Sequence, residues 1–186
     1  MESRPVLYVV VSGAAPARDL PAQIPALTGG WDTCVITTPE GARFFDVARV
    51  AELTGHPVRT SFKDPDAPDV LPPASAFAAA PATFNTVNKW AAGISDTLAL
   101  GLLNEATGQG LPIVTVPWPN VALARHPAFG RSLATLRGCG ITVIFDPGHL
   151  PDDDHPGQAE FPWGALRAEL ARMRTAVAGG GQAPAT

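Results

Sequence analysis

Val6-Leu7-Tyr8-Val9-Val10-Val11, running straight into Ser12-Gly13-Ala14-Ala15-Pro16-Ala17, sets the architecture of this chain. Six consecutive residues without a charge, four of them valine, suit a strand buried on both faces of a sheet. The small residues that follow permit a tight turn off the end of the strand, and a helix is expected over residues 17–27. Strand, turn and helix in that order form the repeating unit of a parallel sheet sandwiched between helical layers.

The pattern recurs along the chain. Short apolar strands are expected at 33–37, 76–80, 113–116 and 141–145, the last as a central strand, with a weaker one at 58–61. Helical turns are expected over 39–51. The strongest helix is expected over 86–105, where Val87, Trp90, Ala91, Ile94, Leu98 and Leu102 recur three or four residues apart. Further helices follow at 127–137, opened by a proline, and at 163–177, with Leu166, Leu170 and Met173 on one face. Residues 64–73 carry four prolines, which remove donors and hold their predecessors extended, so an irregular loop is expected there. The expectation is a single α/β domain over residues 1–177, a doubly wound, Rossmann-like parallel sheet in three layers. Residues 178–186, rich in glycine, read as a disordered tail.

Composition narrows the functions. The chain has 186 residues, 46% apolar and 16% charged, enough for one real core. Thirteen Lys and Arg against 17 Asp and Glu leave a net charge of −4, which offers no basic face to nucleic acid or to an anionic membrane. The apolar run at 6–11 is too short for a signal-peptide core or a membrane span, so a soluble cytoplasmic protein is expected. Two cysteines cannot build a disulfide scaffold, and Cys34 and Cys139 read as small buried apolar residues. No histidine spacing suggests a metal site; His56 and His149 lie in turns without an evident partner.

In a doubly wound sheet ligands sit beyond the carboxyl ends of the strands, which directs attention to residues 12–16, 37–41, 81–86 and 117–120. Ser12, Gly13 and Ala14 offer amides at a helix start, either for a phosphate or simply for a tight turn. Neither G-x-G-x-x-G nor a nucleoside-triphosphate P-loop is present. Thr83, Asn85 and Thr86 crowd the next helix start with more polar groups than capping needs.

The run Pro81-Ala82-Thr83-Phe84-Asn85-Thr86 and the following Asn88-Lys89-Trp90-Ala91-Ala92-Gly93-Ile94-Ser95-Asp96 resemble the hallmark of a known family. It is the FMN-containing flavoproteins that include phosphopantothenoylcysteine decarboxylase and the peptidyl-cysteine decarboxylases of lantibiotic biosynthesis. Ser12-Gly13 resembles that family's phosphate-side turn, and Thr38 with Phe44 resembles its Thr-x5-Phe segment. Pro117-Trp118-Pro119-Asn120 has the frame of its second hallmark, Pro-x-Met-Asn-x-x-Met-Trp, with Ala122 and Leu123 in place of Met-Trp. The resemblance spans residues 6–145. It implies FMN, held by Ser12, Gly13, Ala14, Thr38, Phe44, Thr83, Phe84, Asn85 and Thr86, with Trp118 stacking on the ring or closing the pocket. It also implies a homo-oligomer built on trimers and a small-molecule or peptide thiol as substrate.

The departures concern chemistry. The family's histidine falls at Ala67, with Asp69 the nearby carboxylate that a shifted alignment would offer as a base. His126 is a second candidate for the missing base, and Asn120 corresponds to the asparagine that binds the substrate carboxylate. The family's clamp cysteine is also absent, so phosphopantothenoylcysteine itself is not the expected substrate. The acidic Asp152-Asp153-Asp154-His155 replaces that clamp, either as a solvated surface or as a lid. The resulting expectation is a diverged decarboxylase or oxidoreductase; the alternative is a flavin-bound accessory subunit without turnover.

Overall fold

The structure, a computed structural model, describes residues 4–151 and 159–179. Strands β1 (Val6–Val11), β2 (Asp32–Thr37), β3 (Ala76–Ala82), β4 (Ile113–Pro117) and β5 (Thr142–Val143) form one sheet in the order β2-β1-β3-β4-β5. Every pairing is parallel; Val9 sits level with Val35 of β2 and with Ala78 of β3. Alternate β1 residues feed opposite layers, as the unbroken apolar run requires. Leu7, Val9 and Val11 pack under α1 (Leu20–Leu27) and α7 (Trp163–Gly179) through Leu20, Ile24, Leu166 and Leu170. Tyr8 and Val10 face the other layer, where α3 (Phe84–Ala91), α4 (Leu98–Gly108) and α6 (Pro127–Gly138) supply Val87, Trp90, Leu103 and Phe129. The fold is the expected Rossmann-like three-layer α/β sandwich.

Several elements differ from expectation. The long helix over 86–105 is two helices, because Gly93 adopts φ +71° and closes α3 with its N–H on the Trp90 carbonyl and the Ile94 N–H on the Lys89 carbonyl, both at 2.9 Å. Thr97 then caps α4 by accepting the Leu100 N–H, and Ile94, expected on the apolar face, is left exposed in the turn. The first crossover begins as a 3-10 helix, Ala15–Asp19, before α1. Residues 39–51 become a 3-10 turn, Gly41–Arg43, and then α2 (Val47–Thr54), which starts only where Asp46 accepts the Arg49 N–H. The strand expected at 141–145 is two residues long and lies at the sheet edge rather than its centre. The chain leaves it at once, folding around the Asp146 carboxylate, which accepts the Gly148 N–H at 2.8 Å.

Cys34 is buried as expected, whereas Cys139 is exposed because it caps the solvent end of α6. His56 and His149 do have partners: the Asp32 carboxylate at 2.6 Å and the Asp146 carboxylate at 2.7 Å. Helix α7 continues through Gly179, so the first two residues of the expected tail are helical. Residues 180–186 and the acidic 152–155 stretch lie outside the described residues. Among the described residues, no helix is long and apolar enough to cross a membrane.

The link from β2 to β3 positions everything on the α4 side. Residue Arg59 runs beside β2 through a single bridge to Ile36, in place of the strand expected at 58–61. The chain then returns to Ala76 without a helix, as the prolines of 64–73 demand. Tyr8 ties this segment to the sheet by donating its hydroxyl to the Pro72 carbonyl at 2.9 Å.

Two outcomes follow from these contacts. Gly93 has open space where a Cβ would stand, so Gly93→Ala meets only the backbone penalty, about 1 kcal/mol, read as a lower urea midpoint. Burial pushes the Tyr8 phenol and the Cys34 thiol each up to about 12, from ordinary values of 10.0 and 9.0. Above those ordinary values the unfolded chain loses protons that the folded chain keeps. Stability is therefore full below about pH 9 and falls as pH rises toward 12, and Cys34→Ala should flatten part of that slope.

Candidate functional site

The strand order reverses between β1 and β3: one crossover leads outward to β2, and the others lead to β4 and β5. At such a point the loops above the carboxyl ends diverge and leave a crevice, the usual ligand position in an open α/β sheet. Here the crevice is lined by hydroxyls. The Ser12 and Thr86 hydroxyls share a buried hydrogen bond at 2.9 Å, and Thr86 shares another with Thr83 at 3.0 Å. Thr83 also caps α3 by accepting the Thr86 N–H, and the Ser12 N–H donates to the Pro81 carbonyl at 3.0 Å. The end of β1 is thus bonded to the end of β3 through both backbone and side chains. Pro81 has no N–H for the ladder, and the β3–β4 register shifts between Ala79 and Ala82 at this place.

Around the hydroxyls lie amides without acceptors. The N–H groups of Gly13, Ala15, Phe84 and Asn85 find no acceptor among the described residues, and they belong to two helical starts that meet at the crevice. The Asn85 side chain is exposed and has no hydrogen-bond partner among the described residues. A cluster of neutral donors at converging helix starts fits a phosphate monoester such as that of FMN. Thr38, at the end of β2, joins the same edge. Its N–H donates to the Val11 carbonyl at 3.0 Å, and its hydroxyl accepts the Gly41 N–H. Phe44 follows, with the Arg18 guanidinium 5.2 Å above its ring.

Two close approaches were not anticipated from sequence. A Cβ on Gly13 would come within 2.9 Å of the Glu40 Cβ, and one on Gly41 would come within 2.6 Å of the Val11 carbonyl oxygen. Glycine at both positions lets the β1 and β2 loops touch, bringing Glu40 and Arg18 to the rim. Gly41 lies inside the Thr-x5-Phe segment, which was the only available signal for it.

The β4 end contributes next. The Trp118 N–H donates to the Ala82 carbonyl at 2.8 Å, and its buried ring meets Phe161 edge-on at 5.2 Å. Asn120 caps the short α5 (Val121–Ala124), its Oδ1 accepting the Leu123 N–H at 2.9 Å; its Nδ2 has no partner among the described residues. His126 is exposed and caps α6, its Nδ1 accepting the Ala128 N–H at 3.1 Å, which leaves the ring proton on Nε2. Phe84 lies edge-on to His126 at 5.7 Å and is stacked on Phe129. Asp69 is not brought to this group: it lies exposed on the β2–β3 link, 3.0 Å from the Lys63 ammonium.

The chain is 33% identical over 105 residues to a cysteine/cysteine sulfinic acid decarboxylase from an unknown prokaryotic organism, covering 53% of this chain and 28% of that protein. It is 30% identical over 151 residues to the coenzyme A biosynthesis bifunctional protein CoaBC of Bacillus subtilis (strain 168), covering 77% of this chain and 36% of that protein. The chain therefore spans about a third of the length of these curated relatives. Among solved structures it resembles in fold the FMN-dependent cysteine decarboxylase TvaF from thioviridamide biosynthesis. That likeness has a TM-score of 0.72 at 21% identity, over 93% of this chain and 99% of that one. The family model described as Flavoprotein matches residues 1–171, and the chain belongs to the Flavoprotein family.

Proposed function

We propose that this chain binds FMN in the crevice between β1 and β3 and acts as a diverged flavin-dependent decarboxylase or oxidoreductase on a thiol-bearing small molecule or peptide. The observation that carries the reading is the bonded set Ser12, Thr83 and Thr86, with acceptor-free amides on either side. Those amides and hydroxyls would hold the phosphate, with Gly13 and Ala14 leaving room for it. Asn85, Thr38 and Phe44 would contact the remainder of the cofactor, and Trp118 would form an apolar wall beside it. FMN supplies a two-electron acceptor for oxidation of a thiol or an adjacent carbon. The chain's own residues would bind and orient the substrate: Asn120 Nδ2 would donate toward a carboxylate, and His126 would present Nε2, the ring nitrogen that Ala128 does not engage. The family resemblance supports a homo-oligomer built on trimers, and the low cysteine count fits a cytoplasmic location.

A second reading, a flavin-bound accessory subunit without turnover, is favoured by the capping contacts. Asn120 and His126 each hold a helix start, Ala67 stands where the family has its histidine, and Asp69 is paired with Lys63.

The protein should purify with a flavin absorbance band, and the released flavin should be FMN. A colourless protein that takes up no added FMN would overturn the reading. Asn85→Leu alters an exposed side chain without hydrogen-bond partners among the described residues, so it should leave the melting temperature unchanged while weakening FMN about tenfold. Asn120→Asp separates the two readings, because aspartate caps a helix as well as asparagine but removes the amide donor. If Nδ2 binds substrate, flavin reduction by cysteine-ended peptides falls in this variant while stability and FMN content hold. Equal reduction by variant and parent would make Asn120 a cap alone.

A further inference from the structure

The β2–β3 link leaves a second recess, away from the crevice. Where a crossover helix would cover the sheet, the extended residues 60–75 and α4 stand apart, enclosing about 960 Å³. That volume is at the upper end of the roughly 300–1,000 Å³ typical of small-molecule sites. Its floor includes Tyr8 and Phe77, near the amino ends of β1 and β3, whereas the hydroxyl crevice lies at their carboxyl ends. Phe62 and Val70, 60% and 51% exposed, form one wall, and Leu98 and Leu102 of α4 form the other. The Phe62 ring lies over Gly101, whose missing side chain lets the two walls approach here: a Cβ there would stand 3.4 Å from Phe62 Cε1 and Cζ.

The charges on the wall are unequal in their engagement. Asp69 is held by Lys63 at 3.0 Å, and Glu105 accepts the Gln109 side-chain amide at 3.1 Å. Arg59 donates only to the Ser61 carbonyl, at 3.1 Å, and has no carboxylate partner among the described residues. Its backbone is pinned to β2 by the Val35 carbonyl and the Thr37 N–H, so the guanidinium is carried on a rigid base. A guanidinium carried on a pinned backbone, with no carboxylate partner among the described residues, at the rim of an apolar recess is complementary to an anion with an apolar body. We propose that this recess binds amphipathic monoanions, an apolar acyl or aryl body between Phe62 and α4 with its carboxylate on Arg59.

The site is tested by fluorescence with 8-anilinonaphthalene-1-sulfonate as reporter, displaced by decanoate or by decanol. Decanoate should displace the reporter at about tenfold lower concentration than decanol. Arg59→Gln should abolish that difference, and Arg59→Lys should restore part of it. Gly101→Leu, which strengthens α4 while thrusting a side chain between Phe62 and α4, should remove reporter and decanoate together. FMN content should be unchanged throughout, so failure at the recess is distinguishable from failure of the flavin site. Equal competition by decanol, or unchanged decanoate affinity in both Arg59→Gln and Gly101→Leu, would overturn the proposal. So would a parent protein that takes up no reporter while Phe62→Ser lowers its assembled mass, since the face would then be a contact between copies.

Discussion

The buried hydroxyl contact between Ser12 and Thr86 joins two strands at the place where the sheet changes direction. A buried hydroxyl without a partner costs about 1–3 kcal/mol, so neither group can sit there alone. Together, with Thr83, each satisfies the other and holds the start of α3 against the end of β1. The remaining polar residues of the crevice depend on that junction for their positions. Because the three hydroxyls are neutral and bonded in series, the junction itself adds no charge to the crevice.

Close loop contact extends the junction sideways. Gly13 and Gly41 are the places where side chains would collide with Glu40 and with the Val11 carbonyl. Their absence of a Cβ brings the ends of β1 and β2 together, and the Thr38 N–H completes the contact on Val11. On the other side, the Trp118 N–H on Ala82 does the same for β3 and β4. Four consecutive strand ends are thereby linked by backbone hydrogen bonds, which makes the floor of the crevice rigid while the exposed Asn85 and His126 remain free to meet a ligand.

The layer on the α4 side is less regular, and the reason is covalent. Prolines between Asp64 and Pro73 forbid the helix that would normally cover β1 and β2 there, and the link is instead tied to β1 by the Tyr8 hydroxyl on the Pro72 carbonyl and by Ser75, whose N–H donates to the Val6 carbonyl. Burial of Tyr8 and Cys34 under this layer raises the pKa of both groups.

Fold class was legible in the sequence because an uncharged strand such as 6–11 can satisfy its burial only between two layers, and because helix starts and turns are written in local chemistry. The residues of the β1/β3 junction were legible for a related reason: hydroxyls in excess of capping need, at Thr83 and Thr86, mark a helix start with a second task. What the sequence left undecided depends on contacts between distant segments. The break at Gly93, inside the single helix expected over 86–105, rests on the Trp90 and Lys89 carbonyls accepting the Gly93 and Ile94 N–H groups. Nothing local distinguishes Asn120 or His126 as caps from the same residues as ligand contacts, and nothing local pairs His56 with Asp32 or Asp69 with Lys63. Periodicity and turn chemistry are properties of neighbouring residues and can be read along the chain. Which polar groups meet across 74 residues, as Ser12 and Thr86 do, is settled only when the strands take their order in the sheet.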